Sequence, residues 1–203
     1  MPDITVECKT TKTKKCAFLG GPGTGKTTLI KQLDVDYSMA GYVSSVCLEF
    51  ARTYIIRYGP PTSIFEQFLL YEGQKQVEDE LSHCDIIFCD NATMLSYVYG
   101  LMLCNFENPK ETYALMKLYE WAMKDISEYE LFFIPREFAF HSDGVIYQNE
   151  ERAIEVDHKI RNFLDIMNVP YTIVGGDMDT RINTVKNKIG FVPKRECSFN
   201  PGG

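Results

Sequence analysis

Gly20-Gly21-Pro22-Gly23-Thr24-Gly25-Lys26-Thr27-Thr28 fits the pattern G-x-x-x-x-G-K-[ST] of a phosphate-binding P-loop. The apolar run Cys16-Ala17-Phe18-Leu19 precedes it and reads as a short buried strand, while Thr27-Thr28-Leu29-Ile30-Lys31-Gln32-Leu33 follows and reads as the start of a helix. A glycine-rich turn between strand and helix can point its backbone N–H groups inward around a polyphosphate. The helix N-terminus adds partial positive charge there. Residues Gly21, Pro22, Gly23, Thr24, Gly25, Lys26, Thr27 and Thr28 are therefore expected to cradle the phosphates of a nucleotide. Lys26 would reach the β- and γ-phosphates, and the Thr27 hydroxyl would ligate Mg²⁺. The competing reading is a glycine-rich turn with a chance lysine, and the flanking strand and helix weigh against it.

Outward from this loop, the chain alternates strand and helix. The first strand is expected over about Lys15–Leu19 and the loop's helix to about Leu33. A second strand runs from Tyr42 to Leu48 and ends at Glu49. Gly59-Pro60-Pro61 is a hard stop, and Ser63-Ile64-Phe65-Glu66 matches a capping box opening a helix to about Leu81. Ile86-Ile87-Phe88-Cys89 is continuously apolar, as a strand buried on both faces should be, and ends at Asp90. A helical stretch follows to Leu103. Asn108-Pro109-Lys110-Glu111 signals another helix start, with Pro at the first helical position. Leu131–Ile134 is a fourth strand, residues 149–167 an amphipathic helix, and Tyr171–Val174 a fifth strand before a last helix from Asp177 to about Ile189. Five such alternations predict an α/β fold: a five-stranded parallel sheet with helices on both faces, as in P-loop NTPases. Residues 1–14 are expected to be an N-terminal arm, 15–190 a single domain with a lid at about 135–150, and 191–203 a peripheral tail.

Composition narrows the function classes. Over 203 residues, 45% are apolar, which suits a packed domain and excludes a disordered chain. The formal charge of −7, from 21 basic and 28 acidic residues, disfavours a non-specific nucleic-acid binder, though a local basic groove stays open. No apolar run reaches the roughly eighteen residues of a membrane span. Residues 1–15 carry no apolar signal region, so a cytoplasmic location is expected. The seven cysteines have no paired metal spacing and read as buried thiols rather than a disulfide set. His83, His141 and His158 form no metal spacing and read as structural or surface residues.

In doubly wound sheets, ligands bind at the carboxyl ends of the strands, so strand-end residues are the candidates. Asp90 would hold Mg²⁺ opposite Thr27 as a Walker B aspartate; the alternative is a solvated strand-end carboxylate or helix cap. Glu49 could take the proton of an attacking hydroxyl; the alternative is a salt bridge to Arg52, three residues on. Arg136, Arg152 and Arg161 could supply a lid that neutralises the transferring phosphoryl, and Arg52 could do so from the acceptor side. Arg152 and Arg161 could equally be solvated. Gln74, Tyr71 and Tyr97 could line an acceptor pocket, although aromatics at helical spacing are more often core.

Taken together, the P-loop, Leu48-Glu49-Phe50-Ala51-Arg52-Thr53-Tyr54-Ile55, Ile86–Asp90, Asp143-Gly144-Val145 and Tyr171–Gly176 resemble a family of AAA-type P-loop kinases. That family includes the ribosylnicotinamide kinase domain of the bacterial NAD regulator, with thymidylate and deoxynucleoside kinases as relatives. The resemblance covers roughly residues 15–190. It places the family's E-x-A-R glutamate and arginine on Glu49 and Arg52, and its Walker B aspartate on Asp90. In two places the chain departs from the family: Asn91 and Ile146 stand where arginines are frequent. The resemblance implies an ATP- and Mg²⁺-dependent kinase acting on a nucleoside- or nucleotide-like acceptor. A kinase for a modified base in DNA and an NTP-hydrolysing regulatory switch are the alternatives. The absence of an N-K-x-D guanine signature favours ATP over GTP.

Overall fold

The computed structural model describes residues 12–137 and 150–194. Its elements run β1 (Lys14–Leu19), α1 (Lys26–Met39), β2 (Ser44–Cys47), α2 (Phe50–Tyr58), α3 (Glu66–Glu80), β3 (Ile86–Asp90), α4 (Leu95–Leu103), α5 (Pro109–Asp125), β4 (Tyr129–Phe133), α6 (Glu150–Ile166), β5 (Thr172–Ile173) and α7 (Met178–Ile189). A single 3₁₀ turn, Ile126–Glu128, leads from α5 into β4. The strands form one sheet in the order β2-β3-β1-β4-β5, and every pairing is parallel. The strand that enters the P-loop is therefore central. The chain fills one side of it with β3 and β2 before crossing to β4 and β5 on the other. That reversal beside β1 is where such sheets open a crevice for ligands.

Residues alternate across β1 with period two. Cys16 and Phe18 face a core shared with Leu29, Ile30, Leu33 and Tyr37 of α1 and Val185 of α7. Ala17 and Leu19 face the opposite core, with Val98 of α4, Ala122 of α5 and Val156 and Ile160 of α6. Phe18 stacks on Phe132 of β4 at 5.0 Å between ring centroids, which fixes the central strands side by side. Both rings are fully buried.

Several boundaries differ from the sequence-based expectation. Helix α1 continues past Leu33 to Met39, because Tyr37 lies four residues beyond Leu33 and extends the same buried face. β4 begins two residues before the expected Leu131, and β5 keeps only Thr172 and Ile173 in the ladder. The capping box at Ser63 is realised mainly from its glutamate: Glu66 Oε2 accepts from the backbone N–H groups of Thr62 (2.8 Å) and Ser63 (2.9 Å). Asn108 caps α5 by accepting from the Lys110 N–H, with Pro109 at the first helical position. Residues 191–194, expected in a peripheral tail, pack onto the domain. Phe191 sits 4.7 Å from the Tyr37 ring, Tyr42 donates to the Val192 carbonyl, and Lys194 pairs with Asp85. The expected lid falls largely on residues 138–149, outside the described residues.

Candidate active site

Lys26 opens α1 directly from the P-loop. The turn into the helix needs a left-handed residue, and Gly25 supplies it at φ 87° without the steric cost a side chain would bring. The N-cap residue Gly25 makes no side-chain capping hydrogen bond and the first turn of α1 holds no acidic residue, so the helix's own residues leave its N-terminal N–H groups to an incoming anion. Lys26 is buried, and its ammonium donates to the carbonyls of Gly20 (2.7 Å) and Gly21 (2.9 Å). Thr24 is buried and donates to the Gly21 carbonyl.

Other elements brace the loop from outside. The side chain of Arg181, 1% exposed in α7, donates to the carbonyls of Thr24 and Gly176, each at 2.9 Å, and pairs with Glu137 at 2.9 Å. Helix α6 meets the loop at Gly21. A Cβ there would stand 2.6 Å from the Ala153 carbonyl, so only glycine allows the approach. The Gly21 N–H donates to Oδ1 of Asp157, and Arg136 binds the other oxygen of the same carboxylate.

At the start of α1 the Thr27 hydroxyl donates to Asp90 Oδ2 at 2.5 Å. Asp90 is buried at the carboxyl end of β3. A hydroxyl and a carboxylate are hard oxygen donors, and this pair already converges, so Thr27 and Asp90 suit a Mg²⁺ ion.

Glu49 belongs to the same cluster. It is the N-cap residue of α2, yet its side chain makes no capping hydrogen bond. Gln74 of α3 takes over that duty, accepting from the Phe50 N–H at 2.9 Å. Relieved of the cap, the half-buried Glu49 carboxylate lies near Asp90 and Lys26 and is hydrogen-bonded by the Asn91 side chain. Burial first, and the Asp90 charge second, push its pKa up to about 7, against the opposing pulls of Lys26, Asn91 and Arg52. Asn91 has φ 75°, a left-handed conformation that asparagine tolerates and arginine does not favour. Its Oδ1 is buried without a hydrogen-bond partner among the described residues.

The structure thus brings together Lys26, Thr27, Glu49, Asp90 and Asn91, with Arg136 against Gly21. Arg52 is exposed but close enough to lower the pKa of Glu49. Arg152 is exposed and pairs with Glu155 on its own helix, and Arg161 lies over the Phe133 ring. These contacts give neither arginine a place in the lid expected from the sequence, most of which falls outside the described residues. Tyr71 and Tyr97 belong to the packed interior: Tyr71 donates to Asp125, and Tyr97 packs on Tyr119 and Phe163. Cys16, Cys47, Cys84 and Cys89 are buried thiols, as expected. Register sets Cys47 beside Cys89, with Glu78 nearby, but Lys15 and Tyr129 already engage that carboxylate. An apolar groove of about 540 Å³ between α3 and α5 shares no lining residue with the P-loop site.

Sequence reasoning missed Asp157, Arg181 and the capping role of Gln74. The only sequence signal available was a carboxylate or cation on the apolar side of an amphipathic helix. Asp157 follows Val156, and Arg181 precedes Ile182, both buried.

Comparisons place this fold among known proteins. No curated protein matches the chain. Among solved structures, NadR protein in complex with NAD and AMP-PNP aligns with a TM-score of 0.66 and 17% identity, covering 91% of this chain and 51% of NadR. NadR protein in complex with NR gives a TM-score of 0.65 at 17% identity, covering 91% and 53%. This chain therefore spans about half the length of NadR. Thymidylate kinase from Candida albicans gives a TM-score of 0.59 at 15% identity, covering 88% of this chain and 92% of that enzyme. At these identities the likeness concerns the fold. A family model described as an AAA domain matches residues 15–181. The chain belongs to that AAA domain family and has the P-loop kinase fold of NadR and thymidylate kinase.

Proposed function

We propose that the protein is a Mg²⁺- and ATP-dependent kinase that transfers the γ-phosphoryl group to a hydroxyl of a nucleoside- or nucleotide-like acceptor. One observation carries this reading: Glu49 is withheld from helix capping and stands beside Lys26 and the Thr27–Asp90 pair. A hydrolytic switch needs the P-loop, the lysine and the Walker B carboxylate. A kinase also needs a carboxylate that can meet an acceptor hydroxyl, and Glu49 is suited to that.

In this mechanism the P-loop amides and the N-terminus of α1 hold the phosphates. Lys26 turns from the Gly20 and Gly21 carbonyls to the β- and γ-phosphates. Thr27 and Asp90 would hold Mg²⁺, which would supply charge neutralisation at the phosphate oxygens. The acceptor oxygen forms its bond to phosphorus as the bond to the β-phosphate oxygen breaks and ADP departs. The acceptor proton passes to the Glu49 carboxylate, whose raised pKa makes it a better base than an ordinary glutamate.

The test is incubation with γ-labelled ATP and a panel of nucleosides, nucleotides and oligonucleotides. Label on a nucleoside or nucleotide supports the reading. Label on an oligonucleotide alone moves the assignment to nucleic acid, and acceptor-independent release of phosphate alone moves it to a switch.

A further inference from the structure

Asp157 lies in α6, outside the motifs quoted from the sequence, and is 7% exposed. A carboxylate buried next to a phosphate-binding loop is costly unless it is paired, and it would repel a polyphosphate unless its charge is matched. Here both oxygens are engaged. Oδ1 accepts from the Gly21 N–H. Oδ2 accepts from Arg136 Nε at 3.0 Å and lies 2.9 Å from Nη2. The guanidinium is thereby laid against the loop: Nη2 is 3.0 Å from where a Cβ on Gly21 would stand.

A planar guanidinium held along its Nε edge has a defined direction, which an ammonium would lack. Arg136 sits three residues past the end of β4, the strand next to β1, and Asp157 is the side chain that ties it to the P-loop. One carboxylate thus spans the backbone that binds phosphate and a cation able to neutralise it. Electrostatic catalysis depends on such groups being in place before charge develops.

We propose that Asp157 is a positioning residue for phosphoryl transfer: by gripping the Gly21 amide and the Arg136 guanidinium together, it presets that cation at the P-loop. The proposal rests on the kinase reading above and deepens it. Asp157 itself does not touch the nucleotide. It acts through Arg136, so it contributes more to the transition state than to ATP binding.

The experiment compares wild type, Asp157→Asn, Arg136→Gln and the double variant in the full chain. Calorimetry measures affinity for Mg-ATP and for Mg-ADP with aluminium fluoride, a mimic of the transferring phosphoryl. Asn keeps an oxygen for the Gly21 N–H and loses the charge that holds Arg136. Asp157→Asn is expected to leave ATP affinity within about threefold and to weaken the analogue at least about tenfold. Arg136→Gln is expected to do the same, and the double variant to be no worse than either single. Additive losses, or equal loss for both ligands, overturn the proposal and leave Asp157 a structural strut. If Asp157→Asn does not fold, Arg136→Lys carries the test. It keeps the charge but loses the Nε edge, and unchanged affinity for the analogue overturns the proposal. Wild type that binds neither ligand overturns the kinase reading itself, a result visible without any variant.

Discussion

At the scale of single residues, the carboxylate of Glu49 is the sharpest claim. General-base catalysis contributes about 10²–10⁴-fold, and the loose transition state of phosphoryl transfer favours the lower end. Glu49→Gln should lower kcat by about 10²-fold with ATP affinity nearly unchanged, as steady-state kinetics and calorimetry would report. A near-normal kcat, or a defect confined to ATP binding, would leave Glu49 as a mere partner of Arg52. Its protonation gives a second prediction. The folded protein favours protonated Glu49, so this group's contribution to stability is greatest below the ordinary glutamate range. It is lost as pH rises from the ordinary glutamate range through about 7. Chemical denaturation of the metal-free protein should therefore show Glu49→Gln gaining stability relative to wild type across that window. A difference that does not change with pH would contradict the raised pKa. Of the candidate site, the positions of Lys26, Thr27, Glu49 and Asp90 were legible because a loop motif and strand ends are local signals. Asp157 and Arg181 were not: they reach the loop from 136 and 157 residues away. Nothing in a single sequence marks which helix will dock there.

At the scale of elements, the sheet was legible because β1, β3 and β4 each contain a short apolar run, Cys16–Leu19, Ile86–Cys89 and Leu131–Phe133, of the kind that a doubly covered strand tolerates. The end of α1 was hidden, because Asp34, Asp36 and Ser38 surround Tyr37 and read as a polar turn. Only the packing of Tyr37 against Phe88 and Phe191 shows that the helix continues. The short β5 was likewise beyond local reading, since its length depends on how far β4 extends beside it. The central strands carry a direct test. Phe132 is fully buried against Phe18, so Phe132→Ala should destabilise the domain by about 3–5 kcal/mol in urea denaturation. A loss below about 1 kcal/mol would mean that the two rings do not form a tightly packed centre.

At the scale of the whole molecule, the chain crosses from β3 to β4 over the P-loop strand, and the proposed phosphate site lies at that crossing. No helix among the described residues is long and apolar enough to cross a membrane. A ligand that binds only the folded state stabilises it by about 2.7 kcal/mol at a hundred times its Kd. For a domain of this size that corresponds to a rise in Tm of roughly 5–10 °C. Mg-ATP should give such a shift in wild type and little or none in Lys26→Ala, whose own Tm should stay close to that of wild type, as differential scanning fluorimetry would show. An equal shift in both proteins would place the nucleotide elsewhere. On the reading proposed above, this site moves a phosphoryl group onto an acceptor. Phosphorus NMR of the protein with Mg-ATP and the nucleoside and nucleotide panel observes that event. The expected result is loss of the γ-phosphate resonance matched by a new phosphate ester or anhydride on one acceptor, with neither change in Lys26→Ala. Inorganic phosphate as the sole product, or an ATP spectrum that never changes, would contradict it.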